Sequence, residues 1–328
     1  AMHDTTPDWR ARRETQVIQV DSNPSRMELV ARAGFNNLRK PFHFVSVARN
    51  TVPGLADAFA RQRRGELQAA KEIPRTRFND KVSSHRVFNA VNFDLQDIKA
   101  IKNAVAGTTV NDVAITICGG ALRKYLQHHG ELPELSLAAM APVNVRSDSD
   151  TSGGNIVSAM TVLVHSDIEA PLERLQAVHD DTRGAKELNN AIGAKAMTDY
   201  SQFIPSTLTA QAARLASRWG LMNRMKPLYN CVITNVPGPQ VPLYLNGARM
   251  VVGYGTGPIA DGLGLFHVIG SYCGQFQISA TSCRDMMPDP DFYRQCLQES
   301  FEELRAAAAR KPTRKPTRKA GAARKKVA

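Results

Sequence analysis

A polar cluster, TVND at positions 109–112, lies at the predicted start of a strongly apolar helix. The carboxylate of Asp112 is favourably placed there, because the first turn of a helix has free amides and the positive end of the dipole. The amide of Asn111 can either cap the helix or point into a cleft, where it would offer hydrogen bonds to a bound group. Spacing alone favours a simple N-cap over a functional site.

Two further clusters combine a basic strand with an acidic, glycine-containing loop. A predicted strand ends in NVR, which places Asn144 and Arg146 on one face. A buried Arg requires a carboxylate, and the only acid in the segment 257–272 is Asp261. Gly262 follows it and permits close backbone approach. We therefore expect Asp261 to pair with Arg146, although a lone Asp-Gly-x-Gly string is more often a turn.

A proline- and glycine-containing turn follows another predicted strand, in the segment TNVPGPQVPL that begins at position 234. Pro237 and Gly238 form this turn, and the side chain of Asn235 suits the corner at which the strand ends. From the residues alone, we interpret the segment as a structural turn.

Short strands interleaved with helices must position these clusters. The pattern predicts an α/β or α+β lobe over residues 84–309, with two layers. The predicted strands lie in SSHRVFNAVNFDL, SLAAMAPVNVRS, NIVSAMTVLVHS, YNCVITNVPGP, ARMVVGYGTGP, LFHVIGSYCG and QFQISATSCR. The predicted helices lie in DLQDIKAIKNAVA, 111–129, PLERLQAVHDDTRGAKE, a pair over 192–225, and PDFYRQCLQESFEELRAAAA.

The two ends of the chain differ from this lobe. Residues 1–83 contain short apolar runs separated by prolines and are predicted to be a connector with one helix, in VPGLADAFARQRRGELQAAKE. Residues 310–328 carry nine Lys and Arg residues and no acid, so the net charge of +12 falls to +3 without them. This low-complexity tail is predicted to be disordered, and either to bind an anionic lipid surface or nucleic acid, or merely to aid solubility.

Composition argues against several classes of protein. The 328 residues can form a large core without disulfides. The five cysteines contain no C-x-x-C pair, so neither a metal site nor a secreted disulfide framework is predicted. The sequence contains no run of eighteen apolar residues, and its first residues lack an apolar h-region, so we do not expect them to act as a signal peptide. We therefore expect a cytoplasmic protein. If the basic tail binds an anionic lipid surface, it would hold the protein at the periphery of a membrane or a lipid inclusion.

Five motifs in a fixed order resemble the bacterial wax ester synthase/diacylglycerol acyltransferase family. They are TTVNDVAITICGGALRKYL, the PVNVR strand, GGN ending at Asn155, NVPGPQVPLYLNGARM and GPIADGLGLFHVIGSYCGQFQIS. The similarity extends from about Pro7 to Ala307. It implies a two-lobed fold like that of coenzyme A-dependent acyltransferases, with the reaction centre between the lobes. It implies acyl-CoA and a lipid hydroxyl as substrates, and no cofactor.

In this family the general base is the second His of a His-His-x-x-x-Asp-Gly motif on the N-terminal lobe. This sequence lacks that motif, and its only adjacent pair, His128 and His129, is predicted at an exposed helix end. We therefore expect the chain to be the C-terminal lobe with an interlobe linker, the first lobe preceding residue 1, and to be inactive alone.

The resemblance also implies roles for individual residues. Asn111 matches the Asn of an Asn-Asp motif and would hydrogen-bond the reacting oxygen or the oxyanion, whereas Asp112 would hold local structure. Arg146 and Asp261 would form an architectural pair. The apolar strands would line an acyl-chain tunnel, although an ordinary core is the favoured alternative. His267 could face that channel, but a satisfied core histidine is the more common case.

Two other functions remain as alternatives. Without the histidine motif, the lobe could be a non-catalytic lipid-binding or membrane-tethering module. Nucleic-acid binding is disfavoured, because the body has no recognisable basic face with aromatic and Arg residues.

The predicted Arg146–Asp261 pair can be tested by stability. If the two groups pair in a dry interior, Arg146→Ala leaves a buried carboxylate uncompensated and lowers the free energy of unfolding by roughly 3–5 kcal/mol. Chemical denaturation measures this difference. A loss below about 1 kcal/mol would show that the two residues are not partners.

Overall fold

The computed structural model describes Thr5, Ser25, Met27 and residues 72–144, 157–192 and 226–310. Four predicted features lie outside these residues: the helix of the connector, the helical pair over 192–225, and the positions of Arg146 and Asn155. The basic tail from position 311 onward lies outside them as well. The division of the chain at residue 83 stays a prediction.

A mixed sheet of six strands forms one layer of the lobe. The strands of this sheet and of a separate two-stranded hairpin are β1 (Arg86–Asp94), β2 (Ala138–Asn144), β3 (Val157–Leu163), β4 (Cys231–Pro237), β5 (Tyr244–Leu245), β6 (Ala248–Arg249), β7 (Leu265–Tyr272) and β8 (Gln275–Cys283). β4 pairs in parallel with both β2 and β7, whereas the other pairs are antiparallel. The strand order of the sheet is β1-β8-β7-β4-β2-β3, and the separate hairpin consists of β5 and β6.

Four helices within the described residues form the second layer. Asp94 caps the first of them by accepting a hydrogen bond from the amide of Gln96 at 2.7 Å. The second is the most deeply buried and packs against the other three. They are α1 (Leu95–Ala104), α2 (Val110–His128), α3 (Pro171–Ile192) and α4 (Pro290–Arg310). The predicted mixed sheet with flanking helices is confirmed.

One predicted strand is wrong. In the segment ARMVVGYGTGP, only Ala248–Arg249 are in a strand, and residues 250–259 have no regular structure. Their backbone lies against β7 instead: a Cβ added to Gly255 would be 2.3 Å from a methyl carbon of Val268. The hydroxyl of Ser279 also donates to the carbonyl of Gly255 at 2.6 Å. Glycines weaken a strand and allow this close approach, which explains the difference.

A buried polar pair on β7 and α4 lies in the hydrophobic core between the layers. His267 on β7 and Tyr293 on α4 are both fully buried, and the His267 Nε2 atom lies 2.7 Å from the Tyr293 hydroxyl. The His267 Nδ1 atom is 3.2 Å from the carbonyl oxygen of Val232. Both ring nitrogens therefore have partners if Nδ1–H donates to the carbonyl and the hydroxyl donates to Nε2. Burial lowers the pKa of His267 to about 4.

This pKa predicts an acid-sensitive contribution to stability. The ordinary pKa of a histidine is near 6.5, so at pH values between about 6.5 and 4 the unfolded chain binds a proton at His267 that the folded chain does not bind. The free energy of unfolding therefore falls as the pH falls through this range. From pH 7 to pH 4.5, the wild type is expected to lose about 2–3 kcal/mol more unfolding free energy than His267→Gln.

Urea titrations of both proteins at the two pH values measure this difference. The control His85→Gln alters an exposed histidine and should retain the wild-type loss. Equal acid losses in the wild type and His267→Gln would contradict the prediction.

Candidate functional site

The N-terminus of α2 is closed by a reciprocal pair of hydrogen bonds. The hydroxyl oxygen of Thr109 accepts from the amide of Asp112 at 3.2 Å, and the Asp112 Oδ2 atom accepts from the amide of Thr109 at 2.8 Å. This is a capping box, in which the two residues satisfy each other's free amides. The N-cap is therefore Thr109, and the side chain of Asn111 is not needed to cap the helix.

The side chain of Asn111 instead faces the end of β4. The Asn235 Nδ2 atom donates to the Asn111 Oδ1 atom at 3.5 Å, and both residues are half-buried. Two asparagines identified separately in the sequence are thus brought together from positions 124 residues apart. Since this bond engages the oxygen of Asn111, its NH₂ group is the part of the amide that can donate to a bound group.

The turn after β4 packs closely on β7. Pro237 is exposed, and a Cβ added to Gly238 would lie 2.3 Å from the carbonyl oxygen of Ser271. A glycine is therefore required for this approach, which agrees with the interpretation of the segment as a structural turn.

A histidine that sequence reasoning missed contacts Asp112. His179 on α3 places its Nδ1 atom 3.0 Å from the Asp112 Oδ2 atom, and the Asp112 side chain is only 1% exposed. The Asp112 Oδ1 atom is buried and has no hydrogen-bond partner among the described residues. A signal for this contact exists in the sequence, because His179 follows the buried Leu175 and Val178 at helical spacing.

A cavity of about 190 Å³ adjoins this contact. Its lining residues are all of polar or charged types, and they include an exposed ion pair between Arg183 and Glu187, with Nε and Oε1 3.3 Å apart. The lining residues are Thr109, Asp112, His179, Thr182, Arg183, Lys186 and Glu187.

The loop with Asp261 and Gly262 is held by residues that precede β1. The Asp261 Oδ1 atom accepts from the amide of Val82 at 2.9 Å. The amide of Gly262, which has a φ of +80°, donates to the carbonyl of Asp80 at 2.9 Å, and its carbonyl accepts from the Asn79 side chain at 3.0 Å. The carboxylate of Asp261 thus fixes the backbone before β1, and its pairing with Arg146 stays a prediction.

The other predicted site residues lie elsewhere. Asn144 is the last residue of β2. His267 is a core residue with both ring nitrogens partnered, as the alternative interpretation expected. His128 ends α2 and is exposed. Buried residues of β2 and β3, among them Ala139, Ala141 and Met160, belong to the hydrophobic core.

The described residues contain neither a cluster of metal-ligating side chains nor a helix suited to a membrane. Over 72–144, 157–192 and 226–310, no group of three or more His, Cys, Asp or Glu side chains is arranged to hold a metal ion. Within the same ranges, no helix has the length and apolar character needed to cross a membrane.

Two domain models match the chain in sequence. The wax ester synthase/diacylglycerol acyltransferase catalytic domain matches residues 1–114, and the WS/DGAT C-terminal domain matches residues 153–305. Asn111 and Asp112 belong to the first region, and His179 and Asn235 belong to the second. The contacts described above therefore join the two matched regions.

Relatives and a solved structure agree with these matches. Two putative diacylglycerol O-acyltransferases of Mycobacterium tuberculosis are similar: one is 34% identical and covers 80% of this chain and 53% of its own length. The other is 35% identical and covers 78% of this chain and 57% of its own length. The chain thus spans about half the length of the curated relatives it matches.

One similar solved structure is the wax ester synthase/diacylglycerol acyltransferase from Marinobacter aquaeolei VT8. It has a TM-score of 0.59 and 28% identity, over 80% of this chain and 57% of that one. This similarity confirms the predicted fold, a lobe like those of coenzyme A-dependent acyltransferases. From both domain models, these relatives and this fold, we conclude that the chain belongs to the wax ester synthase/diacylglycerol acyltransferase family.

Proposed function

We propose that this chain is part of an O-acyltransferase that moves a fatty acyl group from acyl-CoA to the hydroxyl of a diacylglycerol or a long-chain alcohol. Membership of the family and the names of the relatives support the reaction class. The observation that carries the assignment of a site is the contact between Asn111 and Asn235, because it joins the two matched regions at a half-buried position.

The proposed reaction requires a base that removes the proton from the acceptor hydroxyl. The resulting oxygen nucleophile attacks the thioester carbonyl, a tetrahedral oxyanion forms, and the CoA sulfur leaves with the proton that the base returns. By resemblance to the family, the base is the second His of the His-His-x-x-x-Asp-Gly motif. We propose that a lobe with this motif completes the site, and that this chain alone is inactive.

Asn111 would stabilise the oxyanion in this reaction. Its Oδ1 atom already accepts from Asn235, so the NH₂ group is oriented to donate. A donor fixed before the reaction costs no reorganisation when charge develops on the oxygen. Asp112 would act on the local structure of α2 rather than on the substrate, because its carboxylate is buried and bonded to Thr109 and His179.

Substitution of Asn111 tests this role in the protein completed by the motif-bearing lobe. Asn111→Ala removes the donor, and we expect kcat to fall by roughly 10²–10³-fold with little change in KM for acyl-CoA. Release of CoA thiol from palmitoyl-CoA, with diacylglycerol or hexadecanol as acceptor, measures the rate. Asn235→Ala should lower kcat less, since it acts through the orientation of Asn111.

Asn103→Ala is the matched control, because Asn103 is exposed on α1. It should retain the wild-type rate. If the completed protein releases no thiol with any lipid acceptor, the acyltransferase assignment is wrong. If Asn111→Ala is as active as the wild type, the assignment of Asn111 is wrong.

We also propose that the basic tail binds the anionic surface on which a lipid acceptor is found. Each Lys or Arg near such a surface contributes about 1 kcal/mol at moderate ionic strength, and salt screens the attraction. The full chain should therefore float with liposomes that contain phosphatidylserine at low salt, and should not float at high salt.

The control chain ends at Arg310, the last residue of α4, and should not float with these liposomes. Neutral liposomes should bind neither chain. Equal flotation of the two chains on anionic liposomes would contradict the proposal and favour a solubilising tail.

A further inference from the structure

We propose that His179 is a positioning residue that orients Asn111 through the carboxylate of Asp112. This inference rests on the proposed function, because it gives His179 a part in the same site. It concerns a residue from α3 that lies 67 positions away from Asp112 in the sequence.

The buried carboxylate of Asp112 depends on its two donors. Its side chain is 1% exposed, and an ionised carboxylate in such a place is stable only if it is hydrogen-bonded. The amide of Thr109 lies 2.8 Å from the Oδ2 atom, and the Nδ1 atom of His179 lies 3.0 Å from the same oxygen. Among the described residues, His179 is therefore the side chain that donates a hydrogen bond to this carboxylate.

The ring of His179 also contacts the loop that leads into α2. Gly107 in this loop has a φ of +86°, and a Cβ added to it would be 3.1 Å from the His179 Nε2 atom. The ring thus packs beside the loop while its other nitrogen bonds to the first turn of the helix. It restrains the backbone on both sides of the N-cap.

Asn111 lies next to Asp112 in that first turn. Its hydrogen bond with Asn235 would be lost if the distance between the two side chains increased even slightly. The distance of 3.5 Å between the Asn235 Nδ2 atom and the Asn111 Oδ1 atom is at the upper limit for a hydrogen bond. A small displacement of the first turn would therefore break it and leave the amide of Asn111 free to rotate. Displacements of about 1 Å can reduce catalysis by roughly 10²-fold.

The chain contains a second His–Asp contact that serves as a matched control. His165 precedes α3, and its Nε2 atom lies 2.7 Å from the Oδ2 atom of Asp181 on that helix. His165 has a φ of +51°, a conformation that Asn tolerates, so His165→Asn changes this contact without backbone strain.

Two substitutions separate the hydrogen bond of His179 from its packing. His179→Phe keeps a ring beside Gly107 but has no donor, whereas His179→Asn places an N–H near the position of Nδ1. In the completed enzyme, His179→Phe should lower kcat by about 10–100-fold and leave KM for acyl-CoA unchanged. His179→Asn should keep most of the wild-type kcat, because it retains a donor to Asp112. His165→Asn should keep the wild-type kcat.

A double-mutant cycle distinguishes positioning from a general loss of stability. If His179 acts through Asn111, then adding His179→Phe to Asn111→Ala lowers kcat no further. Additive losses, or failure of His179→Asn to restore any activity, would overturn the proposal.

A readout that does not need activity comes from hydrogen exchange of the intact chain, measured by mass spectrometry. His179→Phe should speed hydrogen exchange in peptides that cover 105–115 and leave exchange in peptides from α4 unchanged. His165→Asn should not speed exchange over 105–115. Unchanged exchange over 105–115, or equal acceleration in α4, would overturn the proposal. If the completed protein releases no thiol, the proposed function fails, and exchange alone decides the role of His179.

Discussion

The buried carboxylate of Asp112 is the interaction on which the arrangement of the site depends. One of its oxygens bonds both to the backbone of Thr109 and to His179, so that the loop before α2, the helix itself and α3 are joined at one atom. An N-cap hydrogen bond contributes about 1 kcal/mol. The burial of an ionised group without partners costs far more, which makes this arrangement sensitive to the loss of either donor.

This arrangement determines what the side chain of Asn111 can contact. Because Thr109 and Asp112 satisfy the first turn of α2, Asn111 is released from capping and can contact β4. β4 in turn pairs in parallel with β2 and β7, and Asn235 lies near its carboxyl end. In open sheets with parallel strands, ligands bind outside this end of the strands. Asn111 at the start of α2 and Asn235 near the end of β4 therefore form a single polar cluster.

The sequence predicted the elements well and the contacts between them less well. Local signals sufficed for α2, because the apolar residues after the polar residues 109–112 predict a helix over 111–129, and the structure has it over Val110–His128. Its N-cap is Thr109, however, and not the Asn111 that the sequence analysis considered. The contact with His179 was missed because it joins residues 67 positions apart, and a histidine in the apolar stripe of α3 does not identify its partner. The segment 248–258 was predicted as a strand from its apolar residues, although its alternate glycines favour close packing on β7.

The most direct measurement for this account is a crystal structure of the completed protein with a non-hydrolysable acyl-CoA analogue. The account predicts that the carbonyl oxygen of the analogue lies within hydrogen-bond distance of the Asn111 NH₂ group, with the Asn111 oxygen still bonded to Asn235. An analogue bound with its carbonyl at a different edge of the sheet, remote from the start of α2, would contradict it.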